Sequence, residues 1–363
     1  MAELYLGLMS GTSLDGVDAV LADFSAQGFR LLATHHDAFD QDLKSRLLAI
    51  HEPGADELHR AAELSNALAM RYADAALELL GECGVDPGRV AAIGCHGQTV
   101  RHRPDLGFTV QLGNAALLAE ATGITVAADF RSRDIAAGGQ GAPLVPAFHA
   151  AVFADPKLGR AIVNLGGISN ITSLPAGGAV TGYDCGPGNM LLDAWCARHL
   201  HQAFDRDGAW AATGRADRRL LQALLAEPWF GLKPPKSTGR ELFNIPWLER
   251  HLAGSEAPAD VQATLVALTV SAVAQSLERE SPQALEVYLC GGGARNPALA
   301  QGLCEALAPR KVAPTDVLGL EAEWVEACAF AWLARQALRG EPGNLPAVTG
   351  ARGPRILGAI YRA

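Results

Sequence analysis

The residues with the plainest chemical potential are three glycine turns and one aspartate. The first turn, Ser10-Gly11-Thr12-Ser13-Leu14-Asp15-Gly16, joins two apolar runs. Glycine admits positive φ, so successive backbone N–H groups can converge on an anion, and the Thr12 and Ser13 hydroxyls add donors. A phosphate cradle would run through Gly11, Thr12, Ser13, Leu14, Asp15, Gly16, Val17 and Asp18. Asp15 or Asp18 could hold a magnesium ion, directly or through water. Glycine, serine and aspartate are also ordinary turn formers, and the turn lacks the lysine of a Walker A loop. The second turn, NLGGISN (164–170), carries Gly166 and Gly167 between two strand-like runs. The third, LCGGGARNP (289–297), sets Gly291, Gly292 and Gly293 before a helix that Asn296 can cap, with Pro297 at its first position. Three glycines in a row let a flat ring and its ribose lie on the backbone, and the spacing is not the G-x-G-x-x-G of a dinucleotide site. Asp184, in GYDCGPGNM, stands at the end of a short strand before a helix. A carboxylate there can be aimed into a cleft as a general base, or it can merely cap the turn.

The flanking elements follow from periodicity. Strand-like runs cover residues 5–9, 18–24 and 30–39, and helical pattern covers 41–51 and 56–83. Strands at 90–96, 108–112 and 124–128 and a helix at 114–122 come next, and 130–146, rich in glycine and charge, reads as a loop. A second round begins at residue 160: strands 160–165 and 168–174, helices 190–201, 218–225 and 260–279, and strand 286–290. A last long helix covers 323–338, and a tail at 351–361 holds one strand-like piece. Strand–turn–strand followed by helices and strands thus occurs twice, which predicts an α/β chain with a mixed sheet in each half and a ligand cleft between the halves. The boundary is expected near residue 130. The N-terminal domain would be 1–130 plus about 341–363, with the first turn, and the C-terminal domain 131–340, with Asp184 and the other two turns.

Composition sets outer limits. At 363 residues the chain exceeds what one core usually supports. Apolar residues make up 49% and charged residues 19%, so large cores are within reach and disorder is not expected. A net charge of −9 disfavours nucleic acid and anionic membrane as partners. The 7 cysteines are odd in number and form no C-x-x-C, which fits a reducing compartment. The N-terminus lacks a basic region and a long apolar segment, so no signal peptide is expected. The longest strongly apolar stretch, 264–277, falls short of the about 20 residues that span a bilayer. A cytoplasmic protein without membrane attachment is the expectation.

The three turns, in this order and spread over both halves, resemble the nucleotide-binding set of the actin, hexokinase and Hsp70 superfamily. That resemblance implies two duplicated ribonuclease-H-like domains, with ATP phosphates held by amides, hydroxyls and Mg2+ rather than by a Walker lysine. A narrower resemblance covers nearly the whole chain. MSGTSLDGVD (9–18), GCHGQT (94–99), GGQGAPLVPAFH (138–149), NLGGISN, GYDCGPGNMLLDAW (182–195), PKSTGRELFN (235–244), DVQATL (260–265), CGGGARNP (290–297) and GNLPAVTGA (343–351) resemble the anhydro-N-acetylmuramic acid kinase family. The resemblance implies an ATP- and Mg2+-dependent enzyme that opens the 1,6-anhydro ring of a muramic sugar with water and phosphorylates O6, in cell-wall recycling. It implies Asp184 as the catalytic base and a homodimer. It also points to Gln98, Thr99, Arg131, Arg133 and Glu326 as sugar contacts, with either arginine facing the lactyl carboxylate. An open-sugar kinase of the superfamily and a nucleotide switch without enzymatic chemistry are the alternatives.

Other features carry less. Lys236-Ser237-Thr238-Gly239 looks like a scrambled Walker A, but no G-x-x-x-x-G precedes it. His35, His36 and His102 lack metal-ligand spacing. His96 could orient the site or fill space, and His149 reads as structural. Cys185, beside Asp184, has no histidine near it in sequence and reads as packing.

Overall fold

The computed structural model describes residues 3–11, 14–25 and 28–363. Its strands are β1 (Leu4–Met9), β2 (Gly16–Asp23), β3 (Arg30–Ala38), β4 (Val90–Cys95), β5 (Gln98–Arg103), β6 (Phe108–Leu112), β7 (Val126–Ala128), β8 (Arg160–Leu165), β9 (Ile168–Leu174), β10 (Thr181–Pro187), β11 (Glu286–Cys290), β12 (Lys311–Pro314) and β13 (Ala359–Tyr361). The helices are α1 (Gln41–Ala49), α2 (Glu57–Cys83), α3 (Ala115–Thr122), α4 (Ser132–Ala136), α5 (Val145–Phe153), α6 (Met190–Leu200), α7 (Arg218–Leu225), α8 (Ile245–Glu249), α9 (Pro258–Glu280), α10 (Pro297–Ala306), α11 (Val325–Arg339) and α12 (Pro346–Thr349).

The chain divides into two compact units, residues 1–148 with 324–363, and residues 149–323. In the first unit the sheet runs β13-β7-β4-β1-β2-β3, and in the second β10-β9-β8-β11-β12. Both place an antiparallel three-strand meander beside two strands added in parallel, β4 on β1 and then β7, as β11 on β8 and then β12, and β13 closes the first sheet antiparallel to β7. The twofold recurrence expected from the sequence is therefore a recurrence of topology. Largely apolar runs supply the central strands β1, β2 and β8, which are buried along almost their whole length, and the helices bury their apolar faces on the sheets.

In the first unit α2 packs Leu64, Leu68, Tyr72, Leu79 and Leu80 into the core, and α11 crosses β1 and β4. That crossing is close. A Cβ on Gly7 would lie 1.9 Å from the Ala327 carbonyl oxygen, and one on Gly94 would lie 1.9 Å from that of Phe330. Glycine is demanded at both positions by backbone contact, and the start of α11, with Glu326 in its first turn, is thereby set against the sheet. In the second unit α9 is the core helix, burying Val261, Leu265, Leu268, Val273 and Leu277. It is the one helix among the described residues long and apolar enough to cross a membrane, and more than half of its most apolar window is buried inside the protein.

The unit borders differ from the sequence expectation of 130/131 and about 340/341. Residues 130–146 do not form a free linker: α4 lies within them, and Asp134 fixes them to the first unit. Its carboxylate is fully buried and accepts from the Gly141 N–H (2.8 Å), Asn344 Nδ2 (2.7 Å) and Thr349 Oγ1 (2.7 Å). The GGQG and GNLPAVTG stretches are thus the two sides of one carboxylate, a pairing 210 residues apart that local periodicity cannot reveal.

Candidate active site

The residues of interest gather in two places, one in each unit. In the first unit they surround the turn between β1 and β2. Thr12 and Ser13 lie outside the described residues. Leu14, with φ of 56°, takes the left-handed conformation the sequence assigned to glycine, and its side chain, like that of Val17, is buried in the core. These two residues can therefore offer a phosphate only their backbone. Gly16 has no positive φ. It is glycine because a Cβ would meet the Asp37 carbonyl oxygen at 2.3 Å. Asp15 is exposed, and Asp18 meets His36 Nδ1 through Oδ1 at 2.7 Å. The hydrogen bond to Asp18, against the opposing effect of burial, raises the His36 pKa above its usual value.

Gln98, 1% exposed, donates from Nε2 to the Gly11 carbonyl at 3.1 Å, so it braces the turn. Its Oε1 is buried with no hydrogen-bond partner among the described residues. Thr99 accepts from Gln111 Nε2 on β6 at 3.1 Å. His96 Nδ1 stands 3.3 Å from the Ser10 carbonyl, and its Nε2 meets the Arg131 guanidinium. Arg131 also donates from Nη1 to the Gly141 carbonyl at 2.8 Å. The structure thus joins three sequence motifs, the first turn, HGQT and FRSRD, through the His96 ring. Arg133 is separate and exposed on α4. Glu326 is half-buried in the first turn of α11, where the helix dipole favours a carboxylate.

In the second unit the sites interlock through backbone. The Gly166 carbonyl accepts from the Asn189 N–H (2.8 Å), and the Gly167 carbonyl accepts from the N–H groups of Gly188 (2.9 Å) and Met190 (3.1 Å). These N–H groups at the start of α6 are taken up by the second turn. Asn189, which sequence reasoning missed, donates from Nδ2 to the Leu165 carbonyl at 3.1 Å. A Cβ on Gly293 would lie 2.7 Å from Leu165 Cβ and 3.0 Å from Asn189 Nδ2, and one on Gly291 (φ of 77°) would lie 2.2 Å from Asn164 Oδ1. The second and third turns are therefore in contact. Gly292 differs: its missing side chain would meet nothing within 4 Å. The backbone there is open to a flat ligand ring. Asn296 caps α10 by accepting from the Ala298 N–H at 3.0 Å.

Asp184 lies within β10, which continues through Pro187, and so is not at a strand end as the sequence suggested. The pairing with β9 shifts register between Asp184 and Gly186, with Cys185 as the extra residue. Such a bulge re-aims a side chain out of the pleat. Oδ2 of Asp184 accepts from the Thr238 N–H at 3.0 Å, and the Asp184 N–H donates to the Lys236 carbonyl at 3.2 Å. The PKSTG stretch, without a role in the sequence reading, is the partner of the aspartate. Cys185 is 1% exposed, and burial pushes its thiol up to about 12, so it packs and does not attack.

Carboxylate oxygens of Asp15 and Asp18 suit magnesium. Among the described residues no group of three or more His, Cys, Asp or Glu could hold a metal.

A family model for anhydro-N-acetylmuramic acid kinase matches residues 3–363. An anhydro-N-acetylmuramic acid kinase of Nitrosospira multiformis is 60% identical over 364 residues, covering 100% of both chains. One from Nitrosomonas europaea is 58% identical, covering 99% of each. Among solved structures, component A of (R)-2-hydroxyglutaryl-CoA dehydratase from Acidaminococcus fermentans aligns with a TM-score of 0.50 at 14% identity, over 91% of this chain and 96% of the other. That likeness concerns the two-domain fold alone.

Proposed function

This chain belongs to the anhydro-N-acetylmuramic acid kinase family, and we propose that it opens the 1,6-anhydro ring of 1,6-anhydro-N-acetylmuramic acid with water while passing the γ-phosphoryl group of ATP to O6. The observation that carries the assignment of the base is the bulge at Asp184 together with the Thr238 N–H that fixes its carboxylate. Asp184 takes one proton from a water whose oxygen attacks C1 of the sugar. The C1–O6 bond breaks, O6 bonds to the γ-phosphorus, and the bond from that phosphorus to ADP breaks. The proton passes to solvent, leaving N-acetylmuramic acid 6-phosphate and ADP. An ordinary glycosidase protonates its leaving oxygen with a second carboxyl group. Here phosphorus captures the charge on O6, so no acid is needed beside it.

The first turn, from Gly11 to Asp18, and the second, at Gly166 and Gly167, are assigned to the phosphates. Gly291, Gly292, Gly293 and Asn296 are assigned to the adenosine end. Asp15 or Asp18 would hold magnesium, which supplies charge neutralisation at the phosphate oxygens. Arg131 is assigned to the lactyl carboxylate, supported by its fixation on His96 and Gly141, with Gln98, Thr99 and Glu326 nearer the sugar hydroxyls. Cytoplasmic placement, assembly as a homodimer and a role in recycling cell-wall fragments complete the proposal. Sedimentation at twice the chain mass is the check on assembly.

The test is ADP release from Mg-ATP with 1,6-anhydro-N-acetylmuramic acid, N-acetylmuramic acid, or no sugar. Release confined to the anhydro sugar is expected. Equal release with the open sugar contradicts coupled ring opening, and sugar-independent release contradicts kinase activity.

A further inference from the structure

The loop at residues 236–238 holds a buried cation and a buried hydroxyl that the mechanism above does not use. Lys236 is 7% exposed. Its Nζ donates to the carbonyls of Trp229 (3.3 Å) and Phe230 (3.2 Å) and lies 4.1 Å from the centre of the Trp229 ring. Burial and then the Arg279 charge pull its pKa below the usual lysine value. An ammonium held in such a place needs its partners, so it fixes the loop in one position. Trp229 Nε1 donates to the Ser237 carbonyl at 3.2 Å and adds a second tie. The next residue, Thr238, gives its N–H to Asp184 Oδ2. Its hydroxyl oxygen is buried and has no hydrogen-bond partner among the described residues. A buried hydroxyl left unpaired is unfavourable, and such atoms mark places where something else binds.

We infer that Thr238 holds the attacking water against Asp184, its hydroxyl accepting the hydrogen of that water that is not transferred. The inference rests on Asp184 being the base. A water that gives one proton to Asp184 and a lone pair to C1 keeps one hydrogen, and that hydrogen must point somewhere. Donated to Thr238 Oγ1, it sets the direction of the attacking lone pair, and no bond at Thr238 is made or broken. Lys236 acts at one remove, as the anchor of the loop.

Thr238→Val keeps the N–H to Asp184 and much of the shape while deleting the hydroxyl. The expected result is a fall in kcat of about tenfold or more, with KM for ATP and for the sugar within about twofold of wild type. Thr238→Ser restores the hydroxyl and should recover kcat to within about threefold. A Thr238→Val enzyme with wild-type kcat overturns the inference, as does a Thr238→Ser enzyme as slow as the valine variant, which would mark methyl packing instead. Asp184→Asn run alongside separates the two levels. Turnover surviving in that variant overturns the base assignment and this inference together. Its loss beside a fully active Thr238→Val enzyme overturns the Thr238 assignment alone.

Discussion

Nε2 of His96 accepts hydrogen bonds from both Nε (3.2 Å) and Nη2 (2.9 Å) of Arg131. Arginine can only donate, so this nitrogen carries no proton, and Nδ1–H is left to donate to the Ser10 carbonyl. Burial, reinforced by the Arg131 charge, pushes the His96 pKa down to about 3. The ring is therefore a neutral acceptor through the range of about pH 5 to 8 in which an ordinary histidine changes charge. Its protonation would bring two cations together and break the link between the first turn and the arginine.

Removing the acceptor should therefore resemble removing the arginine. Arg131→Gln should raise KM for the anhydro sugar about tenfold or more, since a charge-assisted contact to the lactyl carboxylate is lost. His96→Leu should raise it in the same direction with less effect on kcat, while Arg133→Gln, at an exposed site, should do little. No inflection from His96 should appear in sugar KM between about pH 5 and 8. Steady-state kinetics with the three variants checks this, and a larger effect at Arg133 than at Arg131 would reverse the assignment.

The glycines of the third turn should separate folding from nucleotide binding. Gly292→Ala adds a methyl group where nothing stands within 4 Å, so stability should stay within about 0.5 kcal/mol of wild type. A base lying on that backbone should nevertheless be displaced, raising KM for ATP several-fold. Gly293→Ala places its Cβ 2.7 Å from Leu165 Cβ and 2.8 Å from the Leu165 carbonyl oxygen, and should cost about 1–3 kcal/mol. Thermal melting with and without a non-hydrolysed ATP analogue distinguishes the two. A Gly292→Ala protein that binds nucleotide normally would move the adenosine elsewhere.

Much of this arrangement is legible in the chain because it is local. The runs flanking Gly166-Gly167 are rich in β-branched residues (Ile162, Val163, Ile168, Ile171, Thr172) and form β8 and β9 within the expected limits. The buried faces of α9 are visible as Val261, Leu265, Leu268, Val273 and Leu277. What escapes is set by contacts between distant residues. Nothing near Thr238 in sequence signals that its N–H meets a carboxylate 54 residues away, and the lysine of PKSTG looks like a phosphate ligand until its burial under Trp229 is seen. The bulge at Cys185 is equally silent, since GYDCGP reads as a strand ending in a glycine turn. Gly16 misleads, since it answers to the neighbouring Asp37 backbone and not to positive φ, and Gly7 and Gly94 answer in the same way to the backbone of α11.

Asp134 should be among the residues whose loss the fold tolerates least. Asp134→Ala leaves the Asn344 amide, the Thr349 hydroxyl and the Gly141 N–H buried without their acceptor. A loss of about 3 kcal/mol or more is expected in chemical denaturation. The effect should be larger than that of Asn344→Ala, which removes one contact of the three. Equal values would mean that the carboxylate is not the hub of the network.

In the proposed reaction one carboxylate, that of Asp184, activates the water that opens the ring. Asp184→Asn preserves the size of the side chain and an acceptor for the Thr238 N–H while removing the base. ADP release with the anhydro sugar, measured beside equilibrium binding of ATP, tests it most directly. Turnover should fall by about 10³-fold or more while ATP binds with wild-type affinity. Turnover within about tenfold of wild type would contradict the assignment of Asp184 as the base.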